Sequence, residues 1–205
     1  MEIVKPYVVG IAGGSGSGKT LFTKKLLDRL PMASLHSLDN YYIARSKQAK
    51  DENGVENFDQ LTSIDTDKFT SDLMHLVAGN TLEIKEYAYN NKSKSPRTIQ
   101  VKPSPILIVE GLFVLYLEDV RKQLDLKIFI SAPEHLMLTR RIKRDAEERG
   151  YDLADVLYRF EHHVKPSFKK YVEPAALFAD IQIPNLISVN KGVEVIYDYL
   201  NAQVT

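Results

Sequence analysis

Short uninterrupted apolar runs alternate along this chain with longer stretches in which apolar residues recur every three to four positions. Tyr7-Val8-Val9-Gly10-Ile11-Ala12 is the first such run, ends in glycines, and reads as a strand buried on both faces. Residues 19–30 carry helical spacing, with Leu21, Phe22, Leu26, Leu27 and Leu30 on one face and Pro31 as the stop. Residues 33–38 read as a second strand, and 44–57 as a polar loop with room for a helical turn. An amphipathic helix is predicted over 66–78, with Asp67 near its start and Gly79-Asn80 at its end. The most apolar run, 105–109, reads as a central strand, and 126–130 as another. A long charged helix over 133–149 opens at Pro133 and closes at Gly150. A second helix over 153–171 is expected to kink or break at Pro166, before a last strand at 179–183 and a last helix at 191–202.

Strands alternating with helices predict an α/β fold, a parallel sheet with helices on both faces. One segment departs from that rhythm. Residues 82–89 and 98–101 are strand-like and flank a polar stretch, so an inserted β-hairpin is expected over about 80–102. No repeat or low-complexity tract divides the chain, and residues 1–205 read as a single domain.

Composition narrows the function classes. The 27 basic residues equal the 27 acidic ones, so no global field draws the chain to nucleic acid or to an anionic membrane. There is no cysteine, which excludes thiolate chemistry and disulfides. No apolar run approaches the roughly 18 residues of a membrane span, and the N-terminus lacks signal-peptide architecture. A cytoplasmic location fits these features.

Gly13-Gly14-Ser15-Gly16-Ser17-Gly18-Lys19-Thr20 fits G-x-x-x-x-G-K-[ST] between a strand and a helix. Glycines let backbone N–H groups converge on a phosphate, and the helix start turns its positive end to the same anion. Lys19 supplies a mobile cation and Thr20 a hydroxyl for Mg²⁺. This loop serves GTPases, motor ATPases and small-molecule kinases alike.

Other residues discriminate. Glu110 ends the central strand, where a carboxylate faces the phosphate loop and can hold Mg²⁺; the alternative is a surface residue at a strand end. Asp39 ends the second strand and could accept a proton from an attacking hydroxyl or help bind metal; the alternative is a turn or cap. Arg140, Arg141, Arg144 and Arg149 line the helix over 133–150, a candidate lid, and suit a transferring phosphoryl group. The interspersed Asp145, Glu147 and Glu148 also fit a solvated, ion-paired helix. Tyr41, Tyr42, Tyr87 and Tyr89 are candidates for pocket contacts or packing, and His162-His163 points two ways and makes a poor metal pair.

Together these pieces resemble the uridine/cytidine kinase family, within the group that includes phosphoribulokinase. The resemblance runs through the phosphate loop, Asp39-Asn40-Tyr41-Tyr42, Asn57-Phe58-Asp59, Tyr87-Ala88-Tyr89 and Glu110-Gly111-Leu112. It continues through Arg140-Arg141-Ile142-Lys143-Arg144-Asp145, Glu148-Arg149-Gly150, Val164-Lys165-Pro166 and the segment from Ala179 to Pro184. It implies a P-loop NTPase-type fold and ATP-dependent transfer of a phosphoryl group to a nucleoside 5′-hydroxyl, with ATP as donor and Mg²⁺ as cofactor. Asp39 then matches the general base, and Thr20, Asp39 and Glu110 the metal-facing set. Asp59 and Arg141 match residues that hold the ribose, Arg144 and Arg149 match lid arginines near the ATP phosphates, and Tyr87 sits in the nucleoside-binding hairpin. A homotetramer is the family's assembly.

The departures from that pattern cluster. The family's Tyr-Asp-Phe reads Tyr87-Ala88-Tyr89, a base-contacting histidine falls at Lys92, an arginine at Tyr151, and a base-reading glutamine at Arg159. The glycine-bearing stretch near the adenine site is replaced by Asn185-Leu186-Ile187-Ser188. The phosphate-handling and sugar-holding positions match while those reading the pyrimidine edge do not. Two readings stay open: drift within a uridine/cytidine kinase, or another hydroxyl-bearing acceptor, anionic or carbonyl-rich, met by Lys92 and Arg159. A nucleotide-binding regulator without turnover is a third, opposed by the intact Lys19, Asp39 and Glu110.

Overall fold

A strand buried on both faces must be apolar at every position, and the first apolar run fulfils this as β1 (Tyr7–Gly13), at the centre of a five-stranded sheet. The computed structural model describes residues 5–87 and 97–204. In spatial order the sheet is β2 (Ala33–Ser37), β5 (Ile106–Glu110), β1, β6 (Leu126–Ser131) and β7 (Ile181–Pro184), all parallel. In β1, Val8 and Ala12 turn to one face, and Val9 and Ile11 to the other.

On the second face, Phe22 and Leu26 of α1 (Lys19–Leu27) and Val193, Ile196 and Leu200 of α8 (Asn190–Gln203) pack against Val9, Ile11, Ile108 and Ile128. Each such fully buried side chain contributes about 2 kcal/mol. On the first face, Phe69, Leu73 and Leu76 of α2 (Thr66–Val77) meet Val8, Leu107, Val109 and Phe113. Asp65 caps α2 by accepting from the Lys68 N–H at 3.0 Å. The short helix α3 (Glu118–Arg121) adds Val120 to that core. A separate hairpin, β3 (Leu82–Lys85) with antiparallel β4 (Thr98–Val101), matches the predicted insertion, with its first strand shorter than expected. Residues 88–96, which include Ala88, Tyr89 and Lys92, lie outside the described residues.

Helix α4 (Glu134–Arg149) runs between the predicted Pro133 and Gly150, and Gly150 closes it at φ 67°. Three expectations change. Helix α1 ends at Leu27, with Leu30 buried beyond it. Leu21 is half exposed rather than in the core, because the first turn of α1 borders the phosphate cleft. Pro166 does not break the second long helix. The path runs from α5 (Leu153–Arg159) through π-helical Phe160–Val164, α6 (Lys165–Ser167), π-helical Phe168–Val172 and α7 (Glu173–Ala175). The wider π turns carry the chain past Pro166 and Pro174, which have no N–H to give.

Candidate active site

The loop between β1 and α1 is shaped by its glycines. Gly16 and Gly18 hold φ of 83° and 96°, which side chains rarely tolerate. A Cβ on Gly16 would strike the Met137 carbonyl of α4, and one on Gly18 the Asn185 amide. Gly18 caps α1 without a side-chain partner, so the N–H groups of the first turn stay open to an anion. From outside, Asn185 Nδ2 donates to the Ser17 carbonyl at 2.8 Å. Arg140 donates to the Asn185 carbonyl at 3.0 Å and to the Gly16 and Ser17 carbonyls at 3.4 Å. The carbonyls are thus gripped from behind while the amides face the cleft.

At the carboxyl end of β5, Glu110 is 3% exposed. Lys19 Nζ lies 3.5 Å from its Oε1, Thr20 donates to Oε1 at 3.2 Å, and Ser37 donates to Oε2 at 3.4 Å. Burial pushes the Glu110 carboxyl up, helped by the Asp39 charge and opposed by Lys19 and Thr20. Thr20, Asp39 and Glu110 are hard oxygen donors around one cleft, the set that suits Mg²⁺ shared with phosphate oxygens. No cluster of three or more His, Cys, Asp or Glu able to hold a metal by itself occurs among the described residues.

Asp39 follows β2 in the 3-10 helix Leu38–Tyr41, whose N-cap Ser37 accepts from the Asp39 N–H at 3.4 Å. Asn40 accepts from the Tyr87 N–H at 3.2 Å and so ties this turn to the hairpin. Tyr42 stands 5.4 Å from the Tyr87 ring and 6.2 Å from Phe58. Burial, then the Asp39 and Asp59 charges, hold the Tyr42 hydroxyl far above its usual range.

Three arginines of α4 converge on one buried carboxylate. Asp145, 2% exposed, lies 2.9 Å from Arg144 Nε, 3.2 Å from Arg141 Nε and 3.3 Å from Arg149 Nη1. Arg141 also donates to Ser15 of the phosphate loop at 2.9 Å and approaches Asp59 at 3.8 Å. The ion-paired reading of α4 is correct in its chemistry, but the pairs face the site rather than solvent.

Two cavities meet here. One lies against the phosphate loop, lined in part by Thr20, Glu110, Arg140 and Asn185. The other is lined by Ser15, Tyr42, Phe58, Asp59, Arg141 and Arg159 among others. Lys19, Asp39, Tyr87, Arg144 and Arg149 border both. Sequence reasoning missed Arg45, which opens the single 3-10 turn Arg45–Lys47 in a polar stretch with no periodicity, and the bracing by Asn185 and Asp145. His163 is buried with Nε2 2.7 Å from Asp51, and His162 stacks on Tyr158, so the adjacent pair does diverge into packing roles.

A parallel sheet with a phosphate loop after its central strand, an acidic strand end beside the loop lysine, and a second cavity sharing Asp39 define a P-loop small-molecule kinase that uses ATP as phosphate donor. The chain belongs to the Phosphoribulokinase / Uridine kinase family, whose model matches residues 8–191. It is 35% identical over 194 residues to the uridine kinase of Streptococcus pyogenes serotype M5 (strain Manfredo), covering 94% of this chain and 93% of that one. Its fold is similar to D-glycerate 3-kinase from Cryptococcus neoformans, with TM-score 0.64, 14% identity, and 93% and 89% of the two chains covered. It is also similar to phosphoribulokinase from Rhodobacter spheroides, with TM-score 0.59, 16% identity, and 89% and 71% covered. No helix among the described residues is long and apolar enough to cross a membrane.

Proposed function

We propose that this protein transfers the γ-phosphoryl group of Mg²⁺-ATP to the 5′-hydroxyl of a pyrimidine nucleoside, a reading supported by its similarity to proteins named uridine kinase. The observation that carries the reading is the placement of Asp39 where the two cavities meet. An acceptor hydroxyl in one cavity then reaches a phosphate held in the other, beside a carboxylate.

The phosphate-loop amides and Lys19 hold the β- and γ-phosphates. Thr20, Asp39 and Glu110 would hold Mg²⁺, which would supply neutralisation of the phosphate charge. Asp59 and Arg141 hold the ribose hydroxyls, and Tyr42, Tyr87 and Phe58 pack the ring. Asp39 accepts the hydroxyl proton as the acceptor oxygen bonds to the γ-phosphorus. The bond from that phosphorus to the bridging oxygen breaks, and ADP leaves with the electron pair. Arg144 and Arg149 stabilise the charge on the oxygens in transit. A cytoplasmic homotetramer accompanies this reading by resemblance, and light scattering tests the assembly.

The test is ATP consumption with product masses, for uridine, cytidine, purine nucleosides and a panel of sugar phosphates and other hydroxyl compounds. Nucleoside 5′-monophosphate is the expected product. Turnover confined to a non-nucleoside would overturn the acceptor assignment and keep the kinase.

A further inference from the structure

The segment that brings Phe58 and Asp59 to the acceptor pocket is fastened from outside by a partly buried carboxylate. Residues 49–57 fold back on themselves. The Asn57 N–H donates to the Ala49 carbonyl at 2.8 Å, Lys50 and Glu56 form an antiparallel bridge, and Gly54 takes the bend at φ 76°. Asp51 holds the turn from within, its Oδ1 accepting from the Asn53 and Val55 N–H groups at 3.0 and 2.9 Å. At the turn's end, Asn57 Oδ1 accepts from the Asp59 N–H at 2.9 Å, and the Asn57 carbonyl accepts from Ser63 Oγ at 2.7 Å. Asp59 then meets Arg141 at 3.8 Å, and both line the pocket with Phe58.

The other oxygen of Asp51 leaves the turn. Oδ2 accepts from the Tyr158 hydroxyl at 2.8 Å and lies 2.7 Å from His163 Nε2. Asn53 Nδ2 donates to that hydroxyl at 2.7 Å, which leaves the hydroxyl proton for Asp51. Arg159, next along the helix, donates to the Glu56 carbonyl at 2.8 Å. In an α-helix, residues five apart point about 140° away from each other. The π turn Phe160–Val164, with its i→i+5 hydrogen bonding, closes that angle. Tyr158 and His163 therefore reach one carboxylate, their rings 5.9 Å apart.

Packing alone does not account for His163. It is 2% exposed, and its Nδ1 is buried with no hydrogen bond to a described residue. A phenylalanine would fill the same space without an unpaired nitrogen. What the imidazole adds is the N–H of Nε2, aimed at an oxygen that, as a carboxylate, can only accept.

We propose that Asp51, Tyr158 and His163 form a clamp that sets Phe58 and Asp59 for the acceptor, with His163 as a positioning residue for acceptor binding. The clamp acts on the pocket through residues 51–57. None of its hydrogen bonds among the described residues reaches the phosphate loop or Asp39. The proposal rests on the reading of this pocket as the acceptor site of the kinase.

The experiment is steady-state kinetics of the full chain, with uridine and ATP varied in turn, beside deuterium uptake over residues 50–59. His163→Phe should raise the half-saturating uridine concentration about fivefold to tenfold, the scale of one hydrogen bond to a charged group. The half-saturating ATP concentration and kcat should stay within about twofold. His163→Gln keeps an N–H near the position of Nε2 and should return the uridine requirement to within about twofold of wild type. Deuterium uptake over 50–59 should quicken in His163→Phe, with the phosphate loop unchanged. A folded His163→Phe enzyme with an unchanged uridine requirement, or with uridine and ATP requirements raised alike, would overturn the clamp. Should that variant fail to fold, Tyr158→Phe removes the other donor from the same oxygen at a less buried position. It should raise the uridine requirement about twofold to threefold, and no rise would overturn the clamp as well. If the wild type consumes no uridine, the nucleoside reading falls and the uptake measurement decides the clamp alone, equal uptake in wild type and variant overturning it.

Discussion

The side-chain amide of Asn185 donates to the carbonyl of Ser17 at 2.8 Å, fastening the chain after β7 to the back of the phosphate loop. Asn185 is 4% exposed, and its own carbonyl accepts from Arg140. Asn185→Ala should cost about 1–2 kcal/mol of stability. It should raise the half-saturating ATP concentration more than it lowers the maximal rate, because the loosened loop presents its amides less well. Steady-state kinetics with varied ATP, beside a thermal melt, checks both. An unchanged ATP requirement would reduce this contact to packing.

Asp145 gathers three guanidiniums within 3.3 Å, holding like charges together before any phosphate arrives. Asp145→Asn keeps the shape and removes the charge that offsets them. The variant should lose roughly tenfold to a hundredfold in kcat through arginines that splay, on the scale of a lost charge-stabilising contact. Its melting temperature should fall as well, since three partly buried cations lose their counter-charge. A kcat within twofold of wild type would contradict the positioning role.

Glu110 receives Lys19, Thr20 and Ser37 while almost fully buried. Glu110→Gln should raise the Mg²⁺ concentration needed for half-maximal rate about tenfold, as one carboxylate leaves the oxygen set. Titration of Mg²⁺ at fixed ATP reads this directly. The same Mg²⁺ dependence in the variant would place the metal elsewhere.

His36 sets part of the acid limit of stability. It is 1% exposed in β2, its Nε2 lies 3.1 Å from the Phe69 carbonyl, and its ring stacks on Phe69 at 4.4 Å. Burial lowers its pKa to about 4; the Phe69 carbonyl and Asp72 oppose that shift, and Lys68 adds to it. The unfolded chain binds the proton near pH 6.5, so it holds more protons than the native state between those values. Stability therefore falls as pH drops from about 6.5 to about 4, by roughly 3 kcal/mol from this group. His36→Phe should flatten that limb in melts taken between pH 7 and pH 4.5. An unchanged slope would assign the acid limit to other groups.

The parallel sheet, the hairpin and the limits of α4 were legible in the sequence because each depends on local signals: unbroken apolar runs, a shift of period, and Pro133 and Gly150 at helix ends. Pro166 misled because a proline forbids one hydrogen bond, while the remedy, a π turn, depends on packing against the rest of the fold. Leu21 misled because periodicity marks a helix face but not whether a cleft opens beside it. In the site, Lys19, Thr20, Asp39 and Glu110 could be placed from strand ends and loop spacing. Arg45, Asp145 and Asn185 owe their positions to contacts between residues far apart in the chain, such as Arg45 with Tyr151. No single-sequence pattern encodes such a meeting.

The central claim is that Asp39 takes the proton from the acceptor hydroxyl while the phosphate loop binds ATP without it. Asp39→Asn is nearly isosteric and leaves the loop intact. Measured on the same preparation, ATP affinity should stay within a few-fold of wild type, while nucleoside monophosphate formation should fall by about 10²–10⁴-fold. Monophosphate formation at the wild-type rate by a folded Asp39→Asn enzyme would contradict the account.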